Sequence, residues 1–262
     1  MKLYAYCLSD EPAGASVEGL TGVGGAAVRV LEVGGAAPVV AVVSGFEGER
    51  AAVTRENLLA HNRVNAHFLA RATPLPFRFG TLADDARLRA YVEANEGALA
   101  EAFARVRGCV EMGVKVRLGG GALAAPQESA ADAVGAGAAR EVSAPQRAGA
   151  ARETGAAGSG RGTAFLLAKR REILGEEALK ARAEGAAARL AACVGGLARE
   201  AAVRLSPEGP IVVRASHLVG RGDVSEYRAR VRELGAGFEG LHLLTSGPWP
   251  PYSFGVSRDA GA

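Results

Sequence analysis

The stretch Val110-Glu111-Met112-Gly113-Val114-Lys115-Val116-Arg117-Leu118 alternates apolar and polar residues along its whole length. A side-chain period of two belongs to a β-strand with one face on a core. Two differently patterned regions flank this strand, and together they set the fold class. Upstream, Leu3 to Leu8 and Val28 to Val33 are short β-prone runs, and Pro38 to Val43 follows a Gly34-Gly35 turn as a hairpin partner. Thr54 and Asn57 open a helix that carries Leu58, Leu59, Val64, Phe68 and Leu69 to about Ala72, where Pro74 and Pro76 stop it. Leu75, Phe77 and Phe79 then alternate up to Gly80 as a strand. From Asp84 and Asp85, the residues Leu88, Val92, Leu99, Phe103 and Val106 recur at helical spacing. Residues 1–107 therefore read as β, β, β, α, β, α.

Downstream, residues 119–160 shift to Gly, Ala, Ser, Pro and Gln with almost no large apolar side chain. Such a segment buries too little surface to offset its ordering entropy and reads as a disordered insertion. A long helix follows from about Thr163 to Leu205, with Gly175, Gly185 and Gly195-Gly196 favouring a bend or break. Pro210 to Val219 reads as a strand, Asp223 to Leu234 as a helix and Phe238 to Thr245 as a strand. Asp223 and Glu226 have the spacing of a capping box. The expected fold class is α+β in two domains: residues 1–107, and residues 108–118 with 161–262 as β-α-β-α-β with a long helix. A length of 262 residues suits two domains of ordinary size.

Charge narrows the function. A net charge of +3, from 31 basic and 28 acidic residues, gives no electrostatic case for a nucleic-acid or anionic-membrane partner. Cys7, Cys109 and Cys193 are far apart and odd in number, which fits a reducing cytosol better than a disulfide framework. The N-terminus turns polar after about seven residues, and no apolar run approaches the ~20 residues of a membrane helix, so neither a signal peptide nor a span is expected.

The motifs with chemical connotations have simpler readings. Gly22-Val23-Gly24-Gly25-Ala26-Ala27 matches a dinucleotide fingerprint in letters but leads into a strand, not a helix N-terminus that could hold a pyrophosphate. Arg221-Gly222-Asp223 reads as a turn and helix cap. His61, His67, His217 and His242 show no metal-ligand spacing, so neither a metal nor a cofactor is expected. On the helix after Thr54, His61, Asn62 and Asn65 share a face with Leu58, Phe68 and Leu69. Buried there, they need polar partners from strand backbone or Arg78, forming a structural polar cluster. No nucleophile and base pair accompanies it, and no catalytic residue is assigned. Near the C-terminus, Pro248, Pro250 and Pro251 stiffen the chain around Trp249, Tyr252 and Phe254. Two uses suit such a segment: a partner-docking surface formed by Trp249, Pro250, Pro251, Tyr252 and Phe254, or a strap packed on its own domain.

Four segments carry a family resemblance: the Gly247-to-Phe254 tail, the opening Gly162-Thr163-Ala164-Phe165-Leu166-Leu167, the strand Pro74-Leu75-Pro76-Phe77-Arg78-Phe79-Gly80-Thr81, and Glu111-Met112-Gly113-Val114-Lys115-Val116. In that order they resemble the gas vesicle protein GvpF/GvpL family, from which the Gly/Ala-rich 119–160 region departs by its length. The resemblance implies a non-enzymatic accessory protein of gas vesicles, located at the vesicle and in the cytoplasm. It implies binding to the small hydrophobic shell protein GvpA and to other accessory proteins, in a chaperone-like or minor structural role. It also implies an N-terminal domain that is ferredoxin-like. The rival from another class is a small-molecule enzyme or sensor on ferredoxin-like domains.

Replacing Ala122 to Ser159 by a short Gly/Ser linker is expected to leave the melting temperature nearly unchanged, because the segment offers little to either core. A large fall in melting temperature would show that it packs.

Overall fold

The computed structural model describes residues 2–10, 17–34, 38–118, 159–206, 211–237 and 240–255, with backbone alone for 159–176 and 241. The first half contains strands β1 (Leu3–Ser9), β2 (Val28–Gly34), β3 (Val39–Gly45), β4 (Leu75–Pro76) and β5 (Leu82–Ala83), with helices α1 (Arg55–Leu69), α2 (Asp85–Ala94) and α3 (Glu96–Val106). The second contains β6 (Cys109–Leu118), α4 (Ser159–Val194), β7 (Ala198–Leu205), β8 (Ile211–Gly220), α5 (Val224–Ala236) and β9 (Leu241–Trp249). The class is α+β with two antiparallel sheets, ordered β2-β3-β1-β4, with β5 also on β1, and β7-β8-β6-β9.

In the first sheet β1 is buried along its whole length. One face packs through Leu3, Ala5 and Leu8 on Leu88, Val92, Leu99 and Phe103 of α2 and α3. Tyr4 and Tyr6 face Ala60, Val64 and Phe68 of α1 on the other side. A strand covered on both faces has no polar alternation to show, which is why β1 and β3 read as continuous apolar runs. The α1 start follows its sequence: the Thr54 hydroxyl accepts from the Asn57 N–H at 3.2 Å. The second helical stretch is two helices rather than one. Asn95 closes α2 with its side-chain nitrogen on the Tyr91 carbonyl at 2.8 Å, and α3 starts from the same residue.

The second sheet carries α4 and α5 on one face, through Val114, Ala215, Val219, Leu190, Val194, Tyr227 and Val231. Here several expectations need correction. The long helix does not run to Leu205: it starts at Ser159, inside the segment assigned to the insertion, and ends at Val194. Gly196, at φ +82°, turns the chain back into β7. Ala201 and Ala202 favour helix intrinsically, but the ladder to β8 overrides that preference. With β7 present, the second half reads β-α-β-β-α-β in the order β7-β8-β6-β9, the ferredoxin-like arrangement. That arrangement therefore belongs to the second half, whereas the first half has three strands before its first helix. The strand expected from Leu75 to Gly80 is reduced to Leu75–Pro76: after one further bond, from the Phe77 N–H to the Tyr6 carbonyl at 2.8 Å, the chain turns, with the Thr81 N–H on the Arg78 carbonyl at 3.2 Å and Gly80 at φ +85°. Asp223 makes no capping bond, and its carboxylate folds back on Gly220. Residues 119–158, with most of the expected insertion, lie outside the described residues, as do 238 and 239.

Gly22 is required by contact. A Cβ there would sit 1.9 Å from the Tyr6 hydroxyl, which the Val23 N–H and Ser44 hold from either side. Gly22→Ala is expected to cost about 1–3 kcal/mol in urea denaturation, as overpacking does. Gly97→Ala, in the first turn of α3 with open space around the new methyl group, is expected to stabilise by up to about 1 kcal/mol. Equal effects at the two sites would contradict this reading.

Candidate functional site: the C-terminal strap and the polar cluster beneath it

Helix α1 aims three polar side chains into the structure. His61 and Asn65 are buried, and Asn62 is partly buried. The His61 ring lies between two tyrosines, with Nδ1 3.0 Å from the Tyr4 hydroxyl and Nε2 3.1 Å from the Tyr252 hydroxyl. Asn65 donates from Nδ2 to the Tyr252 hydroxyl at 3.2 Å and to the His61 carbonyl at 3.2 Å. The Gly80 N–H donates to Tyr4 at 2.9 Å. Arg78 is exposed and stands apart from this chain of bonds, with its carbonyl accepting from Thr81. The Asn62 side-chain nitrogen is buried without a hydrogen-bond partner among the described residues.

Tyr252 arrives from the far end of the chain. After Trp249, Pro250 and Pro251 are buried and Tyr252 and Ser253 turn sharply, with the Tyr252 N–H on the Pro250 carbonyl at 2.8 Å. The Ser253 N–H and hydroxyl both donate to the Glu111 carboxylate, at 2.7 and 2.8 Å. Phe254 is 5% exposed and enters the apolar cluster of Leu3, Leu99, Phe103, Val106, Cys109 and Leu218. Arg105 of α3 closes over it, donating to the carbonyls of Phe254 at 2.7 Å and Gly255 at 3.0 Å. The tail thus packs mainly across onto the first half, and Phe254, Pro250 and Pro251 are not presented to a partner. Trp249 remains partly exposed beside an exposed Pro248.

A second tie lies at the other end of α1. Arg221 donates to the carbonyls of Leu69 and Ala72, groups left without partners where the helix ends, and to Thr73 Oγ1. The Thr73 hydroxyl donates to the Cys109 carbonyl at 3.1 Å. The Arg221-Gly222-Asp223 turn therefore serves the seam between the halves. Tyr4, Arg105 and Glu111 are not marked in the sequence as contacts of the tail, and Arg221 is marked there only as part of a turn. Glu111 and Arg105 occupy positions that periodicity assigns to solvent, and no local pattern marks a polar residue that a distant segment will cover.

Burial pushes the Tyr4 and Tyr252 hydroxyls upward and lowers His61 to about 4, against a smaller upward pull from a hydrogen bond to the Phe77 backbone. The ring is neutral at pH 7, and its tyrosine neighbours keep their protons. Such a cluster holds the tail in place. Among the described residues no group of three His, Cys, Asp or Glu side chains could hold a metal ion, and no helix is long and apolar enough to cross a membrane.

Comparison with known proteins agrees with this architecture. The family model described as gas vesicle synthesis protein GvpL/GvpF matches residues 2–255. The chain belongs to the GvpL/GvpF family. The GvpL/GvpF match extends through the strap to Gly255 and makes the chain a gas vesicle accessory protein. The crystal structure of GvpF from Anabaena sp. PCC7120 superposes with a TM-score of 0.68 at 18% identity, covering 97% of this chain and 95% of that one. GvpF from Microcystis aeruginosa gives a TM-score of 0.68 at 17% identity, covering 97% and 98%. At these identities the two structures show the shared fold. No curated protein sequence matches the chain.

The histidines set a pH dependence whose sign is fixed. His61 and His217 both have folded values lowered to about 4 by burial, below the ordinary 6.5, so the unfolded chain binds more protons between those limits. Stability is expected to be full above pH 6.5 and to fall as pH drops toward 4, by at most about 1.4 kcal/mol per pH unit for each ring. His61→Gln should flatten the denaturation profile in that window. A variant profile parallel to that of the wild type would contradict a neutral buried His61.

Proposed function

We propose that this chain promotes gas vesicle assembly without catalysing a reaction, by binding the hydrophobic shell protein and other accessory gas vesicle proteins in a chaperone-like or minor structural role, at the vesicle and in the cytoplasm. The observation that carries this reading is the GvpL/GvpF match over residues 2–255. The physical picture supports it. An aggregation-prone apolar subunit is best held by a surface that does not rearrange, and the strap joins the domains we assign to 1–107 and to 108–118 with 161–262 at several points. Within the tail, Phe254 and Tyr252 act as the strap, and Trp249 is the anchor that a partner can reach.

Two substitutions separate these roles when melting and shell-protein pull-down are measured on the same preparations. Phe254→Ala is expected to cost about 3–5 kcal/mol of stability, as removal of a buried aromatic does. Trp249→Ala is expected to stay folded and to weaken shell-protein binding at least about tenfold. Folding and binding lost together in Trp249→Ala would make that residue part of the strap. At the level of the cell, loss of the gene should reduce gas vesicle number, and a normal number without a substituting paralogue would contradict the assembly role.

A further inference from the structure

The second sheet packs its helices on one face. Val110, Met112, Val114 and Val116 of β6 turn toward α4 and α5, so Glu111, Gly113, Lys115 and Arg117 line the opposite face. The strap covers one end of that face, where Ser253 sits on Glu111 and Ser216 and Phe254 shares a cluster with Leu218. Beyond the strap the face stays open, with Ala202, Arg204, Arg214, His242 and Ser246 exposed.

The register gives this open area its shape. Next to the strap, small residues cross all the strands in one row, Ala202, Ser216, Gly113 and Ser246. A Cβ on Gly113 would lie 2.7 Å from Ser246 Oγ, so the lack of a side chain there lets Ser246 fold down and keeps the row low. The following row raises Arg204, Arg214, Lys115 and Leu244, and Arg117 with His242 stands one row farther out. Trp249, opposite Glu111, is partly exposed at the strap end of β9. The small residues are therefore the floor of a groove, with the strap and Trp249 on one side and long cationic side chains on the other. Its walls stand about 13 Å apart along the strands, and its floor runs about 14 Å across them. An α-helix, about 10–12 Å across, has that width.

Charge narrows the occupant. The carboxylates of β6 and β7 on this face are already engaged, Glu111 by Ser253 and Glu200 by Arg105 at 3.6 Å. Arg204 and Lys115 also have interactions of their own. The exposed Arg214 and the half-buried Arg117 are the cations that an incoming carboxylate meets. Two such charges are too few to hold a polyanion, but they favour an acidic segment over a basic one.

Resting on the reading above that this chain binds the shell protein, we propose that the groove receives a helical segment of that protein. The helix lies across the strands, with carboxylates toward Arg214 and Arg117 and an apolar side chain against Trp249. The anchor at Trp249 thereby becomes one corner of a surface with a defined chemistry.

Co-purification of the shell protein with the tagged full chain, produced in the same cells, tests the groove. Arg214→Glu with Arg117→Glu should cut the captured shell protein at least about tenfold, and Ala202→Trp, which fills the floor from an exposed position, should cut it too. Arg55→Glu with Arg63→Glu, the same change of charge at exposed positions of α1, should leave capture at the wild-type level. Thermal melts show that each variant is folded. Capture indifferent to the groove variants but lost in Trp249→Ala would overturn the groove and leave the gas vesicle reading standing. An equal loss in the α1 pair would also overturn it, by reducing the effect to net charge. Failure of the wild type to capture any shell protein would overturn both. If the reversal instead abolishes binding of a DNA duplex, of phosphatidylglycerol vesicles or of a second copy of the chain while shell-protein capture is unaffected, the face has another occupant and the proposal is overturned.

Discussion

Phe254 occupies an apolar site that neither half of the molecule completes alone. Leu3, Leu99 and Phe103 come from the first half, Cys109 and Leu218 from the second, and the side chain between them comes from the far end of the chain. Filling that site removes the ring from water and spares the lining a void, effects that together amount to several kcal/mol for a buried aromatic. The polar contacts around it determine how the tail can lie. Arg105 holds the backbone just beyond the ring, Glu111 takes both donors of Ser253, and Tyr252 reaches the buried His61 and Asn65. A tail displaced by one residue would lose all three, leaving a buried carboxylate and imidazole without those partners.

Helix α1 is the element on which both ties converge. Near its middle it presents His61 and Asn65 to the strap, and at its end its carbonyls receive Arg221 from the turn before α5. The two contacts hold different points along the helix, so the second sheet cannot slide along α1 without breaking one of them. This coupling joins local sequence to function. An accessory protein that handles a hydrophobic subunit gains from surfaces held in fixed relation, because ordering them on binding would lower affinity.

Much of this architecture is legible in the sequence. The alternation from Val110 to Leu118 gives β6, the Thr54 cap opens α1, and the four motif segments point to the GvpL/GvpF family that the family model matches. Legibility fails where distant contacts decide. β7 has the composition of a helix, and only its ladder to β8 makes it a strand. The destination of Phe254 depends on a cavity whose lining, Leu218 apart, comes from residues more than a hundred positions away, which no local pattern encodes. The face shared by His61, Asn62 and Asn65 is readable as polar groups needing partners, but the partners Tyr4 and Tyr252 come from the first strand and the tail.

Residues 250–255 hold the two halves together through α1. Amide hydrogen exchange, compared between the intact chain and one ending after Trp249, tests this most directly. Faster exchange is expected in α1, β1 and α3 after truncation, with β6 and β8 remaining protected by their own ladder and by α4 and α5. Unchanged protection in α1 and α3, or loss of protection confined to the second sheet, would contradict it.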